Sequence, residues 1–207
     1  FVQSGTDQLD LKSDLGLDKD TTLNLGLKLG LGNHTFVLRY APYSYSGDQT
    51  GKTFTFDGNS FTATDNLHTD LKLSEYSVDY RYKLLKTPVA RISAGAGLSV
   101  FNNQVDITST TSAASASKSF VAPIPTLGLS AEANIPLVGL FVGANVAGIS
   151  VGSKNSYVDA DAYAGWSPLP LMGAKVGYRH RQIKLDVSDT VGDIKFDGPY
   201  AAVYAGF

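Results

Sequence analysis

A leucine stands at every second position from Leu23 to Leu31, with polar residues or glycine between the leucines. A period of two puts all five leucines on one face of a β-strand, whereas a helix would scatter them around its axis. The leucine face meets either a protein core, as in a soluble sheet, or lipid, as in a membrane barrel. The function of the chain depends on which of the two it meets.

The same two-residue period recurs in eight further segments, and no amphipathic helix is visible. With one more strand expected near the N-terminus, the count is ten, and single-chain membrane barrels normally have an even number of strands. The sequence therefore predicts an all-β fold: a closed antiparallel up-and-down transmembrane β-barrel of ten strands, with eight as the alternative, formed by residues 1–207 as a single domain. The eight segments lie at 35–40, 75–82, 90–100, 127–135, 140–146, 157–166, 172–181 and 200–207.

Composition excludes several classes of protein. The net charge is −2, so the chain lacks the broad positive field that a nucleic-acid binder needs. No run of 18 apolar residues occurs, which excludes a transmembrane helix. A membrane barrel is not excluded, because its strands alternate and average to near-neutral hydropathy. No signal peptide is visible, so an exported protein is expected to be represented here by its mature form.

The connections between the predicted strands alternate in length. Tight links on one rim and longer loops on the other are typical of bacterial outer-membrane barrels. Within the first long link, Asp57-Gly58 predicts the turn of a hairpin. The tight links lie at 32–33, 85–88, 136–139 and 168–170, and the others lie at 47–66, 101–119, 152–156 and 187–194.

Charged residues are confined to the faces opposite the apolar ones. A narrow membrane barrel has an apolar outside, because lipid cannot satisfy polar groups, and an inside where small residues make room for paired charges. The alternative is a soluble calycin-like ligand-binding barrel with the faces reversed. The predicted charge network of the lumen consists of Lys28, Arg39, Glu75, Asp79, Arg81, Arg91, Glu132, Asp159, Asp161, Lys175, Arg179 and Arg181.

The sequence ends at Phe207, at the end of a predicted strand, and contains the segments 178–181 (Tyr-Arg-His-Arg) and 196–200 (Phe-Asp-Gly-Pro-Tyr). In these features it resembles small Gram-negative outer-membrane β-barrel proteins, the class of OmpA and OmpX, although Ala205 stands where a companion aromatic is usual. The resemblance implies location in the bacterial outer membrane and contact with lipid and lipopolysaccharide. It also implies that Phe207 is the signal read by the outer-membrane assembly machinery. It carries over no activity.

One group of residues could support catalysis. His68 with Asp70, and Asp159 with Asp161, each project two polar side chains from one face. Two aspartates facing an Asp–His pair can activate a water molecule, and the group resembles the site of omptin-type outer-membrane proteases with the order inside the pair reversed. The alternative is that Asp159 and Asp161 pair with Lys175, Arg179 or Arg181 on the adjacent strand.

The sequence contains no thiol nucleophile, no glycine-rich phosphate loop and no metal-ligand spacing, so we expect no catalytic residue, cofactor or metal. The predicted function is that of a monomeric outer-membrane barrel with a structural or surface-interaction role, or with a narrow passage for water, ions or small solutes. If the lumen is open, its cationic excess favours anions. The alternatives are an outer-membrane hydrolase and the soluble ligand-binding barrel.

Overall fold

The computed structural model describes residues 2–4, 7–9, 24–50, 53–56, 58–151, 155–169, 172–187 and 190–205. Every regular element in this part of the chain is a β-strand. None of the described residues forms a helix long and apolar enough to cross a membrane. The predictions made for Leu23 and Phe207 fall outside the described residues.

Nine strands of seven or more residues and four strands of three residues make up the described fold. The strands are β1 (Val2–Ser4), β2 (Asp7–Leu9), β3 (Leu25–Leu31), β4 (His34–Thr50), β5 (Phe54–Phe56), β6 (Asn59–Phe61), β7 (Asn66–Lys86), β8 (Ala90–Ser109), β9 (Ser115–Ile135), β10 (Leu140–Val151), β11 (Asn155–Leu169), β12 (Met172–Val187) and β13 (Thr190–Ala205).

Eleven of these strands form one sheet in the order β2-β1-β13-β12-β11-β10-β9-β8-β7-β4-β3, and β5 pairs with β6 in a separate hairpin. All pairings are antiparallel, which confirms the predicted all-β, up-and-down arrangement. The predicted count of ten is not matched strand for strand. The described sheet has nine long strands, and β1 and β2 add only three residues each at its end.

The sheet is strongly curled. Tyr43 on β4 stacks on Phe196 on β13 with ring centroids 5.4 Å apart, although six strands separate β4 from β13 in the sheet order. Arg181 on β12 likewise reaches Glu75 on β7 at 2.6 Å. These contacts cross the concave side, so residues that point to that side meet partners from distant strands.

Tight turns connect the strands at one end of the sheet. Gly32 has φ 59° and Gly139 has φ 69°, a left-handed conformation that glycine adopts without steric cost. At the other end, the predicted loops 47–66 and 101–119 are mostly strand. β8 continues to Ser109 and β9 begins at Ser115, so the loop prediction for 101–119 is wrong. The polar residues of this stretch alternate with apolar residues that face the concave side of the sheet and pack there.

The polarity of the two faces inverts along β4, β7, β8 and β9. On β7 the concave face carries Leu67, Leu71 and Leu73 and then Glu75 and Asp79, all buried. The convex face is polar opposite the leucines and apolar opposite the acids. The inversion falls at a row of residues in register across four strands, which we call the dividing row: Pro42, Ser74, Asn102 and Val121.

The dividing row separates two zones. In the lower zone, between the row and the tight turns, large apolar side chains are exposed on the convex face, including the leucines of β3. On the concave face, one apolar cluster fills the upper zone and a second lies around the dividing row. The lid cluster consists of Phe54, Phe56, Phe61, Leu67, Leu71, Val105, Ile107 and Ala116, and the middle cluster of Leu73, Phe101, Ile124, Tyr157 and Ile183.

The hairpin of β5 and β6 closes the upper zone. Phe54, Phe56 and Phe61 are each at most 5% exposed and form part of the lid cluster. Gly58 in the turn has φ 78°, in keeping with the hairpin that the sequence predicts there. The hairpin therefore packs apolar side chains onto the end of the curled sheet instead of standing free in solvent.

Candidate functional site

Arg181 lies on the concave face, directly beneath the middle cluster. Its side chain is 1% exposed, and its Nη1 atom is 2.6 Å from Oε2 of Glu75. Its Nη2 atom is 3.4 Å from Oδ2 of Asp159, and its guanidinium lies 5.8 Å from the ring centre of Phe101 in the middle cluster. A fully desolvated arginine is thus held by two carboxylates directly beneath an apolar layer.

Asp159 links Arg181 to the neighbouring Arg179. Arg179 donates from Nε to Oδ1 of Asp159 at 2.7 Å and from Nη2 to Oδ2 of the same carboxylate. This is the two-bond fork that arginine makes with a carboxylate. The cross-strand pairing of Asp159 with an arginine of the next strand, which the sequence offered as an alternative, is present in the structure.

Two further ion pairs lie nearer the tight turns. Arg39 Nη2 is 2.6 Å from Asp79 Oδ2, and Arg39 Nε donates to Ser77 Oγ at 3.1 Å. Arg91 Nη2 is 2.6 Å from Glu132 Oε1. The other oxygen of that carboxylate accepts a hydrogen bond of 3.1 Å from the Tyr163 hydroxyl.

Asp161 is held mainly by neutral donors. Asn145 Nδ2 lies 3.1 and 3.2 Å from its two oxygens, and the Tyr200 hydroxyl donates to Oδ2 at 2.8 Å. Arg81 Nη1 donates to Oδ1 of the same Asn145 at 2.8 Å. Asn145 therefore couples Arg81 to Asp161 without direct contact between the two charges.

Glycines on the concave face leave room for these side chains. A Cβ atom on Gly143 would lie 2.6 Å from the Tyr163 ring, and one on Gly97 would lie 2.4 Å from Asp79 Oδ1. Both distances are shorter than van der Waals contact. The density of small residues among the charges is thus a packing requirement.

The twelve residues predicted for the lumen all lie on the face opposite the exposed apolar residues. Lys28, for example, is in register with Val37, and its neighbours Leu27 and Leu29 are exposed on the convex side. Sequence reasoning missed the neutral partners Asn145, Tyr163 and Tyr200. The period of two could have found them, because each lies on the face opposite the apolar residues of its strand, and Tyr163 also shares the phase of Asp159 and Asp161.

The four candidate catalytic residues are not brought together. His68 and Asp70 lie on the convex face of the upper zone, where His68 Nδ1 is 2.8 Å from Asp48 Oδ1 and Nε2 is 3.6 Å from Asp70 Oδ2. The hydrogen bond that the His68 ring makes to Asp48 raises the pKa of His68. Asp159 and Asp161 face the concave side and bind the partners described above. The two pairs thus lie on opposite faces of the sheet.

No group of three or more histidine and acidic side chains suited to a metal ion occurs among the described residues. Comparison of the chain with protein-family models, with curated proteins and with solved structures finds no match in any of the three.

Asp65 fastens the lid hairpin to the top of β8. Its Oδ2 atom accepts a 2.7 Å hydrogen bond from the Thr62 backbone N–H, and its Oδ1 atom accepts one of 2.9 Å from the Ser109 hydroxyl. These hydrogen bonds, led by that from Thr62, lower the pKa of Asp65 to about 2. The ionised carboxylate is the form that holds the turn.

We expect Asp65→Asn to speed amide hydrogen exchange in residues 54–61 at pH 7, because the amide binds the Thr62 and Ser109 donors less strongly than the carboxylate does. The pKa of Asp65 is lower in the folded protein than the usual 3.8. Its contribution is therefore complete above pH 3.8 and is lost as the pH falls through about 2. The difference between wild type and variant should disappear over that range. Asp48→Asn on the outer surface is the control, and equal exchange in both variants would contradict the role of Asp65.

Proposed function

We propose that this chain is a bacterial outer-membrane β-barrel with a closed lumen, and that its role is structural or in surface interaction. The observation that carries the proposal is the inversion of polarity at the dividing row. Below the row, toward the tight turns, the convex face is apolar and the concave face is charged. Above the row, the convex face is polar and the concave face is apolar. A bilayer that ends at the dividing row requires this change of surface.

The extent of the exposed apolar surface supports the membrane. Val78, Leu127 and Val142 are 52%, 69% and 55% exposed, and each strand from β3 to β13 in the large sheet adds further exposed apolar residues. Monomeric soluble proteins rarely expose contiguous apolar patches above a few hundred Å². On β8 the stretch with apolar residues on the convex face runs from Ala90 to Val100 and is eleven residues long. A tilted membrane strand needs about 9–11 residues.

The curl of the sheet supports a closed barrel. Cα atoms of β3 and β13, the first and last long strands, come within 8 Å of each other. The stacking of Tyr43 on Phe196 brings the same two ends of the sheet together on the inside. Closure also removes the unpaired edges that lipid cannot satisfy.

The filling of the lumen argues against an open passage. The middle cluster, around the dividing row, and the lid cluster, above it, occupy the concave face. Directly below them, Arg181, Glu75 and Asp159 form a desolvated layer with side chains 1%, 2% and 7% exposed. Barrels of this size have room only for interlocking side chains, and wide aqueous channels belong to much larger barrels.

The chain contains a single tryptophan, which provides a test. Trp166 is 53% exposed on the convex face and donates from Nε1 to the Val138 carbonyl at 3.1 Å, close to the tight turns. In vesicles we expect brominated lipids to quench its fluorescence. A matched variant that carries Trp166→Phe with Lys72→Trp moves the probe to the upper zone and should not be quenched. Equal quenching of both proteins, or of neither, would contradict the membrane position of the lower zone.

The same vesicles, fused with a planar bilayer, test the closed lumen. Once quenching has established insertion, we expect no discrete conductance steps, because the clusters and the Arg181 layer block the lumen. Reproducible steps that scale with the amount of inserted protein would overturn the closed lumen and leave the membrane assignment intact.

A further inference from the structure

The ion pairs of the lumen leave several cations unmatched. Four of the five lumen carboxylates, Glu75, Asp79, Glu132 and Asp159, are engaged by arginines. The fifth, Asp161, is held by Asn145 and Tyr200. Within the described residues, three cations inside the lumen make no ion pair with a carboxylate: Lys28, Arg81 and Lys175. A fourth, Lys83, lies at the rim and binds a backbone carbonyl oxygen.

These three cations are gathered at the end of the lumen next to the tight turns. Lys28 stands four residues before Gly32, and Lys175 three residues after the start of β12. Lys83, on the same face as Arg81, donates from Nζ to the Gly32 carbonyl oxygen at 2.7 Å and so marks the rim. At the other end of the charged layer, Glu75 and Asp159 are matched by Arg181 and Arg179, so the excess of cations lies at the tight-turn end.

The unmatched cations face one another. The charged side chains that interact most strongly with Lys28 are Arg91, Glu132, Arg81 and Lys175. The only acid among them, Glu132, is already bound by Arg91 and by the Tyr163 hydroxyl. Three of the four neighbours of Lys28 therefore repel it.

Lys175 makes only weak contacts in this group. Its Nζ atom lies 4.3 Å from the ring centre of Tyr163 and 5.4 Å from that of Tyr200, and the hydroxyls of both rings point to carboxylates. A lysine resting on aromatic faces still has N–H donors to offer to a ligand. Like charges in a poorly solvated lumen repel one another strongly unless an anion lies between them.

We propose that the tight-turn end of the lumen binds a compact phosphate-type oxyanion between Lys28, Arg81 and Lys175. Asp161, which interacts with both Arg81 and Lys175, offsets one of the three unmatched charges, and a doubly charged phosphate group offsets the other two. Lysine ammonium and arginine guanidinium groups are the usual protein partners of phosphate oxygens. The Arg181 layer and the apolar clusters fill the lumen above. The anion therefore enters from the tight-turn rim and is held there without crossing.

Calorimetric titration of the full chain in detergent micelles with inorganic phosphate tests the site. We expect saturable binding that chloride at equal ionic strength does not reproduce. In the double variant Lys28→Gln with Lys175→Gln, phosphate affinity should fall by about tenfold or more, because two of the three cations are lost. The control double variant, Lys72→Gln with Lys184→Gln, removes two cations from the convex face and should bind as wild type does.

A second titration, with glycerol 3-phosphate, distinguishes a phosphorylated lipid headgroup from the free phosphate ion as the ligand. Tighter binding than inorganic phosphate assigns the anion to a phosphorylated headgroup, and weaker binding assigns it to the free ion. Far-UV circular dichroism checks that each variant folds, and the single variants replace the double one if it does not. The proposal is overturned if neither ligand binds saturably, or if loss of Lys28 or Lys175 leaves the affinity unchanged.

Discussion

Glu75→Ala is expected to destabilise the protein by about 3–5 kcal/mol, because it leaves Arg181 as a poorly compensated buried charge. Glu75 and Arg181 are 2% and 1% exposed, and their contact of 2.6 Å joins strands on opposite sides of the lumen. Asp159 alone would remain near the guanidinium, and it is shared with Arg179. Reversible denaturant unfolding of the vesicle-inserted protein measures the loss.

Two further variants show whether the buried charge itself is the cause. Asp106→Ala removes an acid from the convex face of the upper zone, where Gln104 and Ser117 bind it near solvent, and should cost far less. The double variant Glu75→Met with Arg181→Met removes both buried charges and should recover most of the loss, since apolar replacement of a buried pair is often neutral or stabilising. A double variant as unstable as Glu75→Ala would show that shape, not charge, is lost.

Val78→Arg is expected to cost about 2–4 kcal/mol when the protein is inserted in a bilayer, the value for a cation on the lipid face at mid-depth. Val78 is 52% exposed on the convex face of the lower zone, and the substitution touches no concave side chain. In aqueous solvent an exposed valine to arginine change would be nearly neutral. The large effect comes only from lipid.

Ser74→Arg is the matched control for Val78→Arg. Ser74 lies four residues away on the same strand and the same face, but in the dividing row, where the bilayer ends in the proposed orientation. Its unfolding free energy should change by less than about 1 kcal/mol. Equal effects at the two positions, whether both small or both large, would contradict a bilayer boundary between them.

The period of two accounts for most of what the sequence predicts correctly. It identifies the strands, puts Leu25 to Leu31 on one face, and sets Lys28, Arg39 and the other charges on the opposite face. This succeeds because strand geometry alone fixes the face of each residue, without any knowledge of distant contacts.

The period of two also runs through the upper zone, but it did not lead to a prediction of strands there. In the stretch from Leu67 to Ser74 the alternation keeps its phase, but the polar residues now lie on the face that was apolar below. Polar content therefore resembled a loop. The signal was present in Leu67, Leu71 and Leu73, which share the phase of Glu75 and Asp79.

The sequence could not predict ion pairs between distant strands, for a different reason. Arg181 and Glu75 are over a hundred residues apart and five strand positions apart in the sheet, so their contact depends on the curvature of the whole sheet. The cross-strand rule could anticipate Asp159 with Arg179, because these lie on adjacent strands. It has no access to partners across the lumen.

In outer-membrane barrels the short turns face the periplasm, so the proposed function puts the upper zone outside, and its length then sets how far the chain reaches beyond the bilayer. Nine residues of β7, Asn66 to Ser74, rise from the dividing row. At about 3.4 Å per residue and a tilt of about 40°, they carry the neighbouring turn at 110–114 roughly 20 Å outward. In the proposed orientation, an antibody or a host receptor can contact that turn from above the inner sugars of lipopolysaccharide.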